Sequence, residues 1–120
     1  MSEFSERVIS IVNQIPCGQV VSYGQVAAYV GVPRGARQVG NILRTHDEAG
    51  MPWWRVINNA GRISIKNMFH GADEQRDRLQ KEGVAVSRDF IINIEKYRWQ
   101  ATEAQMKSWG VLWVKFKRAF

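Results

Sequence analysis

The sequence has little of the chemistry on which disulfides, metal sites and many enzymes depend. Its 120 residues include one cysteine, Cys17, and two histidines, His46 and His70. A lone thiol cannot form an internal disulfide, and no ligand spacing resembles a zinc site, so we expect neither a metal nor a cofactor. Phosphate-binding loops, dinucleotide-binding glycine patterns and serine nucleophile elbows are also missing.

Long apolar runs are missing as well. No stretch is long enough to cross a bilayer, and residues 1–7 lack the basic and apolar regions of a secretory signal, so we expect a cytoplasmic protein without a membrane partner. The hydrophobic fraction of 45% and the charged fraction of 23% are typical of one globular domain. The 17 basic residues against 11 acidic ones give a formal charge of +6, which favours a polyanionic partner.

Two helices are predicted before residue 31. An amphipathic helix that Pro16 ends is indicated by apolar residues at helical spacing, namely Phe4, Val8, Ile11, Val12 and Ile15. Ser22 and Gln25 form a capping-box signature for a second helix over Tyr23 to Val30, which Gly31 ends.

A third helix over residues 34–45, with Pro33 in its first turn, would complete a helix-turn-helix. One arc of this helix is polar and contains three arginines and no carboxylate: Arg34, Arg37, Gln38, Asn41, Arg44 and Thr45. An ordinary solvated face is the alternative, but such faces usually mix charges of both signs. The composition of the arc favours DNA.

The second half of the chain predicts shorter elements. Strands or turns are expected over residues 51–57 and 62–65, a charged helix over Asp73 to Glu82, and a final hairpin with arms at residues 84–86 and 90–94. From about Ala101 the chain reads as a separate piece, either a peripheral helix or a tail. The predicted fold class is mainly α with short β hairpins around a winged-helix-like helix-turn-helix.

Four segments in this order resemble the DNA-binding domain of the O6-alkylguanine-DNA alkyltransferases: residues 15–27, 36–40, 52–57 and 78–83. In that family the third segment reads Pro-Cys-His-Arg-Val, and its cysteine accepts the alkyl group. The same positions here read Pro52-Trp53-Trp54-Arg55-Val56. Alkyl transfer needs a thiolate and a base that generates it, and indole supplies neither. Glu82 matches the family's third catalytic residue and is expected to be structural here.

Tryptophan in place of the cysteine is the signature of the alkyltransferase-like proteins, which this chain resembles from about Phe4 to Trp99. The resemblance implies a DNA-binding domain over residues 1–100, followed by an extension over 101–120 without an assigned role. It also implies a monomeric, nucleoid-associated protein. Such a protein binds duplex DNA containing O6-alkylguanine, flips the base without repairing it, and flags the lesion for nucleotide excision repair.

The resemblance implies minor-groove docking, with Arg37 filling the base stack and Tyr23 pushing on the adjacent phosphate. The implied DNA-binding residues are Tyr23, Arg34, Arg37, Gln38, Asn41 and Arg44. The implied alkylguanine pocket is formed by Tyr23, Met51, Pro52, Trp53, Val56, Ile65, Lys66 and Asn67. Lys66 is the candidate contact to the alkylated oxygen, with a solvated surface lysine as the alternative. Trp53 either packs against the flipped base or merely fills an abandoned active site.

Two other functions stay open at this point. An active suicidal alkyltransferase would need a substitute nucleophile such as Cys17, which has no histidine near it in the sequence and is expected to be a bystander. A sequence-specific transcription regulator would also use a helix-turn-helix. His46 and His70 are isolated in the sequence, so both are interpreted as polar loop residues.

Overall fold

The computed structural model of the chain describes residues 2–63 and 69–110. Helix α1 spans Glu3–Val12 and begins where the Ser2 side chain accepts a hydrogen bond from the Ser5 backbone N–H. Its inward face contains Val8, Ile11 and Val12, as its period predicts. The helix ends four residues before Pro16.

The helix-turn-helix is confirmed. Helix α2 covers Tyr23–Val30, and Gly31 ends it in the left-handed conformation, with φ of 95°. Helix α3 covers Ala36–Thr45, and Gly35 is its N-cap. The prediction that Pro33 lies in the first turn of α3 is wrong, because Pro33 belongs to the connecting turn. Gly35 favours this close turn, since a Cβ there would lie 3.0 Å from the carbonyl oxygen of Val32.

A small parallel sheet joins the two sides of the helix-turn-helix. Strand β1, Val21–Ser22, immediately precedes α2, and strand β2, Val56–Ile57, follows a single 3-10 turn over Trp53–Arg55. Val21 pairs with Val56 and Ser22 with Ile57. Val20 extends the ladder on the other side, where its backbone bonds to residues 97 and 99.

The remaining described elements are helical. Helix α4 spans Ala72–Lys81, α5 spans Ile94–Tyr97 and α6 spans Glu103–Ser108. The mainly helical fold class is therefore confirmed. The predicted hairpin over 84–86 and 90–94 is wrong, because the described strands pair in parallel and α5 begins at Ile94. Residues 87–91 form a turn, and Ile91 makes only an isolated bridge to Arg62.

Two apolar clusters hold these elements together. The larger one lies among α1, α2 and α3 and also contains Trp53, Trp99 and Met106. The smaller one surrounds Leu79 of α4, and the half-buried ring of Trp54 packs against both. None of the helices in the described part of the chain has the length and apolar character that a bilayer span requires.

Candidate nucleic-acid interface

Helix α3 has one buried face and one exposed basic face. Val39, Ile42 and Leu43 are buried against the larger cluster. On the opposite side, Arg34, Arg37, Gln38 and Asn41 are exposed and Arg44 is half-buried. Among residues 2–63 and 69–110, none of the arginines of this face pairs with a carboxylate. The face is thus basic and free to meet an anion.

The N-terminus of α3 adds backbone donors next to this face. Gly35 has no side chain, so no side-chain cap engages the first N–H groups of the helix. These groups carry the positive end of the helix dipole and suit a phosphate oxygen. Arg34 and Arg37 flank them in the sequence. A phosphate here would meet both backbone and side-chain donors.

Tyr23 links this face to the interior. It is the first residue of α2, it is half-buried, and it packs against the cluster that contains Met51, Trp53 and Val56. Its ring also lies close to Gly40 of α3. Burial raises the pKa of the Tyr23 phenol, so the hydroxyl stays a neutral donor.

The structure brings together the predicted pocket residues that it describes. Met51, Pro52, Trp53 and Val56 are all buried within or beside one cluster. Tyr23 packs against the same cluster, while Ile65, Lys66 and Asn67 lie outside the described residues.

Trp53 is held by rings on more than one side. Its indole packs edge to face with that of Trp54, with ring centroids 5.9 Å apart. The imidazole of His70 stacks on it at 4.4 Å with an angle of 16° between the planes. Only 7% of Trp53 is exposed. The Trp53 ring is therefore largely covered, and His70 stacks on it.

Glu82 is the centre of a hydrogen-bond network below Trp54. Its carboxylate accepts hydrogen bonds from the Trp54 indole at 2.8 Å, from the Gly18 backbone N–H at 2.9 Å, and from Arg55, whose closest nitrogen is 2.7 Å away. Arg55 also donates to the carbonyl oxygen of Ile15. Burial alone would raise the pKa of Glu82, but the three donors outweigh it and lower that pKa.

His70 lies in the loop before α4, as the sequence predicts, but it is not isolated. Its two ring nitrogens lie 2.9 Å from carboxylate oxygens of Glu74 and Asp47. The spacing of His70 and Glu74, four residues apart, was a usable sign of this contact, whereas the approach of Asp47 from beyond α3 was not. Within the described residues, no group of acidic, histidine and cysteine side chains has the arrangement of a metal site.

Comparison with known proteins agrees with this geometry. The family model of the 6-O-methylguanine DNA methyltransferase DNA-binding domain matches residues 3–84. Alkyltransferase-like protein 1 of Schizosaccharomyces pombe is 41% identical over 105 residues, which is 83% of this chain and 97% of that protein. A DNA base-flipping protein of Escherichia coli is 46% identical over 99 residues, covering 80% of this chain and 74% of that protein.

Solved structures give the same result. The S. pombe protein Atl1, in a crystal structure with damaged DNA containing O6-carboxymethylguanine, superposes with a TM-score of 0.77 at 40% identity. That match covers 84% of this chain and 98% of Atl1. Mycobacterium tuberculosis OGT bound to DNA superposes with a TM-score of 0.64 at 30% identity, over 69% of this chain and 50% of OGT. The chain therefore belongs to the alkyltransferase-like proteins, within the family defined by the DNA-binding domain of 6-O-methylguanine DNA methyltransferase.

Proposed function

We propose that this protein is a DNA damage sensor that binds O6-alkylguanine in duplex DNA, flips the base and leaves the alkyl group in place. The observation that carries the proposal is the pair Trp53 and Trp54, which stands beside an intact Glu82 network. The scaffold of an alkyltransferase is kept, while the side chains that would perform the transfer are tryptophans. The S. pombe relative bound to O6-carboxymethylguanine DNA supports the same function.

The binding role rests on the exposed basic face of α3. Arg34, Arg37, Gln38, Asn41 and Arg44 would contact the DNA from the minor groove, with Arg37 inserted where the flipped nucleotide leaves the stack. Tyr23 would press on the neighbouring phosphate. Flipping costs a few kcal/mol and costs less for a damaged base pair, which contributes to selectivity. The affinity should fall steeply with salt, because phosphate contacts supply much of it.

The lesion pocket would use Trp53 as its aromatic wall, with Tyr23, Met51, Pro52 and Val56 around it. Stacking of a base on an aromatic side chain is worth about 1–3 kcal/mol. Ile65, Lys66 and Asn67 would complete the pocket, with Lys66 near the alkylated oxygen. In this arrangement the protein recognises the base without reacting with it.

A sensor that does not repair must pass the lesion on. We infer that the flipped, protein-bound site is a signal for nucleotide excision repair, and that the protein acts as a monomer in the cytoplasm, on the nucleoid. The basic charge of +6 supports association with DNA.

Competition binding tests the proposal most directly. A labelled duplex with one O6-methylguanine is displaced by unlabelled plain or alkylated duplexes of several sequences. We expect the alkylated competitor to displace the labelled duplex at lower concentration than the plain competitor in every sequence context. Preference for one undamaged sequence would instead identify a transcription regulator.

The second test measures the mass of the intact protein after incubation with alkylated DNA. We expect no change, since Trp53 cannot accept a methyl group. A stable gain of one methyl group would overturn the sensor and would direct attention to Cys17, which is exposed.

A further inference from the structure

His70 connects three parts of the molecule that are separate in the sequence. One ring nitrogen, Nε2, lies 2.9 Å from Asp47, which follows α3, and the other, Nδ1, lies 2.9 Å from Glu74 in the first turn of α4. The face of the ring stacks on Trp53. The His70 side chain is only 16% exposed.

The two carboxylates favour the charged form of this ring. A neutral imidazole has one N–H donor and one lone pair, so it can donate to only one carboxylate. Carboxylates at hydrogen-bond distance from both nitrogens therefore fit the imidazolium, which donates twice. Burial lowers the pKa of His70, but hydrogen bonds to Asp47 and Glu74 and their charges outweigh burial and raise it above its ordinary value.

Among the residues that the structure describes, a further charged group on this side is Arg78, one turn along α4 from Glu74. Its guanidinium donates to Glu74 at 2.9 Å and lies 6.0 Å from the centre of the Trp53 ring. Asp47, Glu74 and Arg78 are thus the charged groups that face the His70–Trp53 pair from the described elements. Their charges alternate, so a cationic His70 completes a chain of attractive pairs.

We propose that His70, held as a cation between Asp47 and Glu74, is a positioning residue that fixes the Trp53 indole for the flipped base and makes lesion recognition depend on pH. The inference rests on the proposed function, because it assigns Trp53 to the lesion pocket. An aromatic ring ordered before binding loses less freedom when the base arrives. When His70 loses its proton, one carboxylate faces a lone pair, and the link between α3 and α4 weakens.

The sign of the pH dependence follows from the raised pKa. Below about pH 6.5 the imidazolium is present and donates to both Asp47 and Glu74, an arrangement that we call the clamp. Lesion preference should fall as the pH rises through the pKa of His70 in the folded protein. Between pH 6 and pH 9 we expect a loss of about tenfold in the affinity ratio of O6-methylguanine duplex to plain duplex.

Three variants separate charge from packing. His70→Phe keeps a flat ring on Trp53 and removes both donors, so its affinity ratio should be reduced at pH 6 and independent of pH. Asp47→Asn keeps the ring and should move the midpoint of the wild-type transition to lower pH. His46→Gln changes the chain's only other histidine and should behave like the wild type.

A measurement without DNA tests the clamp itself. In protein labelled with 5-fluorotryptophan, the ¹⁹F resonance of Trp53, assigned with Trp53→Phe, should shift with the titration of His70 and should stay constant in His70→Phe. A constant Trp53 signal in the wild type, or an unaltered pH dependence of binding in His70→Phe, would overturn the proposal. So would tighter lesion binding by His70→Phe, which would make His70 an obstacle to the base. A wild type that shows no lesion preference at any pH defeats the proposed function, while the Trp53 signal still decides whether the clamp exists.

Discussion

The indole N–H of Trp54 donates a hydrogen bond of 2.8 Å to the carboxylate of Glu82. This contact satisfies the carboxylate that Arg55 also binds, so Trp54 is part of a complete network. Indole nitrogen is only a donor and cannot take up a proton. The hydrogen bonds of Glu82 are therefore formed, but Trp54 cannot act as a base within the network.

Trp53→Cys alone should not restore efficient repair. A thiol with an ordinary pKa near 8.5 is only a few per cent thiolate at neutral pH, and Trp54 cannot deprotonate it. The double variant Trp53→Cys with Trp54→His places an imidazole beside Glu82, and a general base typically contributes about 100-fold or more. Single-turnover methyl transfer from O6-methylguanine DNA should be faster in the double variant by a factor of that order.

The matched control for this experiment is Trp53→Ser with Trp54→His, which has the base and lacks the thiol. It should transfer nothing. A single Trp53→Cys variant as fast as the double variant would show that histidine is dispensable, and our explanation of why the protein is inert would be wrong.

Glu82→Gln should destabilise the fold by about 3 kcal/mol near neutral pH. The side chains of Arg55 and Glu82 are only 15% and 11% exposed, and removing one charge leaves the other buried without its partner. The lowered pKa of Glu82 means that its contribution is present above the unfolded-state pKa, about 4.3, and is lost as the pH falls through the folded-state pKa. Urea unfolding at several pH values measures this difference.

The control for Glu82 is Asp73→Asn, which removes a carboxylate that is 81% exposed and paired with Arg76 at the surface. Its free energy of unfolding should stay within about 0.5 kcal/mol of the wild type. Equal stabilities of Glu82→Gln and wild type at neutral pH would show that the Arg55 pair contributes nothing.

Arg37→Ala should weaken binding to alkylated duplex much more than binding to an alkylated single strand. Its side chain lies on the exposed face of α3. An inserted side chain is needed only in duplex DNA, where it replaces the flipped base in the stack. Titration of both substrates at fixed salt measures the two losses. Lys107→Ala, which removes the same charge from α6, should affect both substrates little. Equal losses for Arg37→Ala on both substrates would remove Arg37 from this role.

Met106→Ala should lower the free energy of unfolding by about 2–4 kcal/mol. Met106 lies on α6, is 3% exposed and belongs to the same cluster as the helix-turn-helix. Trp109, just after α6, packs on Tyr29 of α2 with ring centroids 5.2 Å apart. Thermal unfolding should show one transition in both proteins, with the variant lower. An unchanged midpoint would mean that residues from 101 onward are independent of the domain.

Local signals account for the elements that the sequence predicted well. Ser22 accepts the Gln25 backbone N–H at the start of α2, and Gly31 ends the helix as its conformational freedom allows. The second hydrogen bond of the predicted capping box, from the Gln25 side chain, is replaced, however. That side chain turns inward and donates to Tyr29 and to the carbonyl of Trp99. The family motifs likewise predicted the family correctly from residue types and order alone.

Long-range contacts account for the errors. Apolar residues near the end of the chain predict a hairpin, but residues 90–92 bond to the backbone of residues 61–63 instead. Nothing in the neighbourhood of His70 in the sequence points to Asp47. Pairings of this kind depend on how helices pack, which a local pattern does not encode.

The backbone ladder at Val20–Ser22 has a consequence for biosynthesis. It joins the start of α2 to Val56 and Ile57 on one side and to residues 97–99 on the other. A ribosome that has released only the helix-turn-helix has therefore not yet supplied the backbone partners that anchor it. Contacts so distant in the sequence form late, because a long loop must close first. A newly made chain should thus complete this ladder only after the segment around Trp99 has emerged.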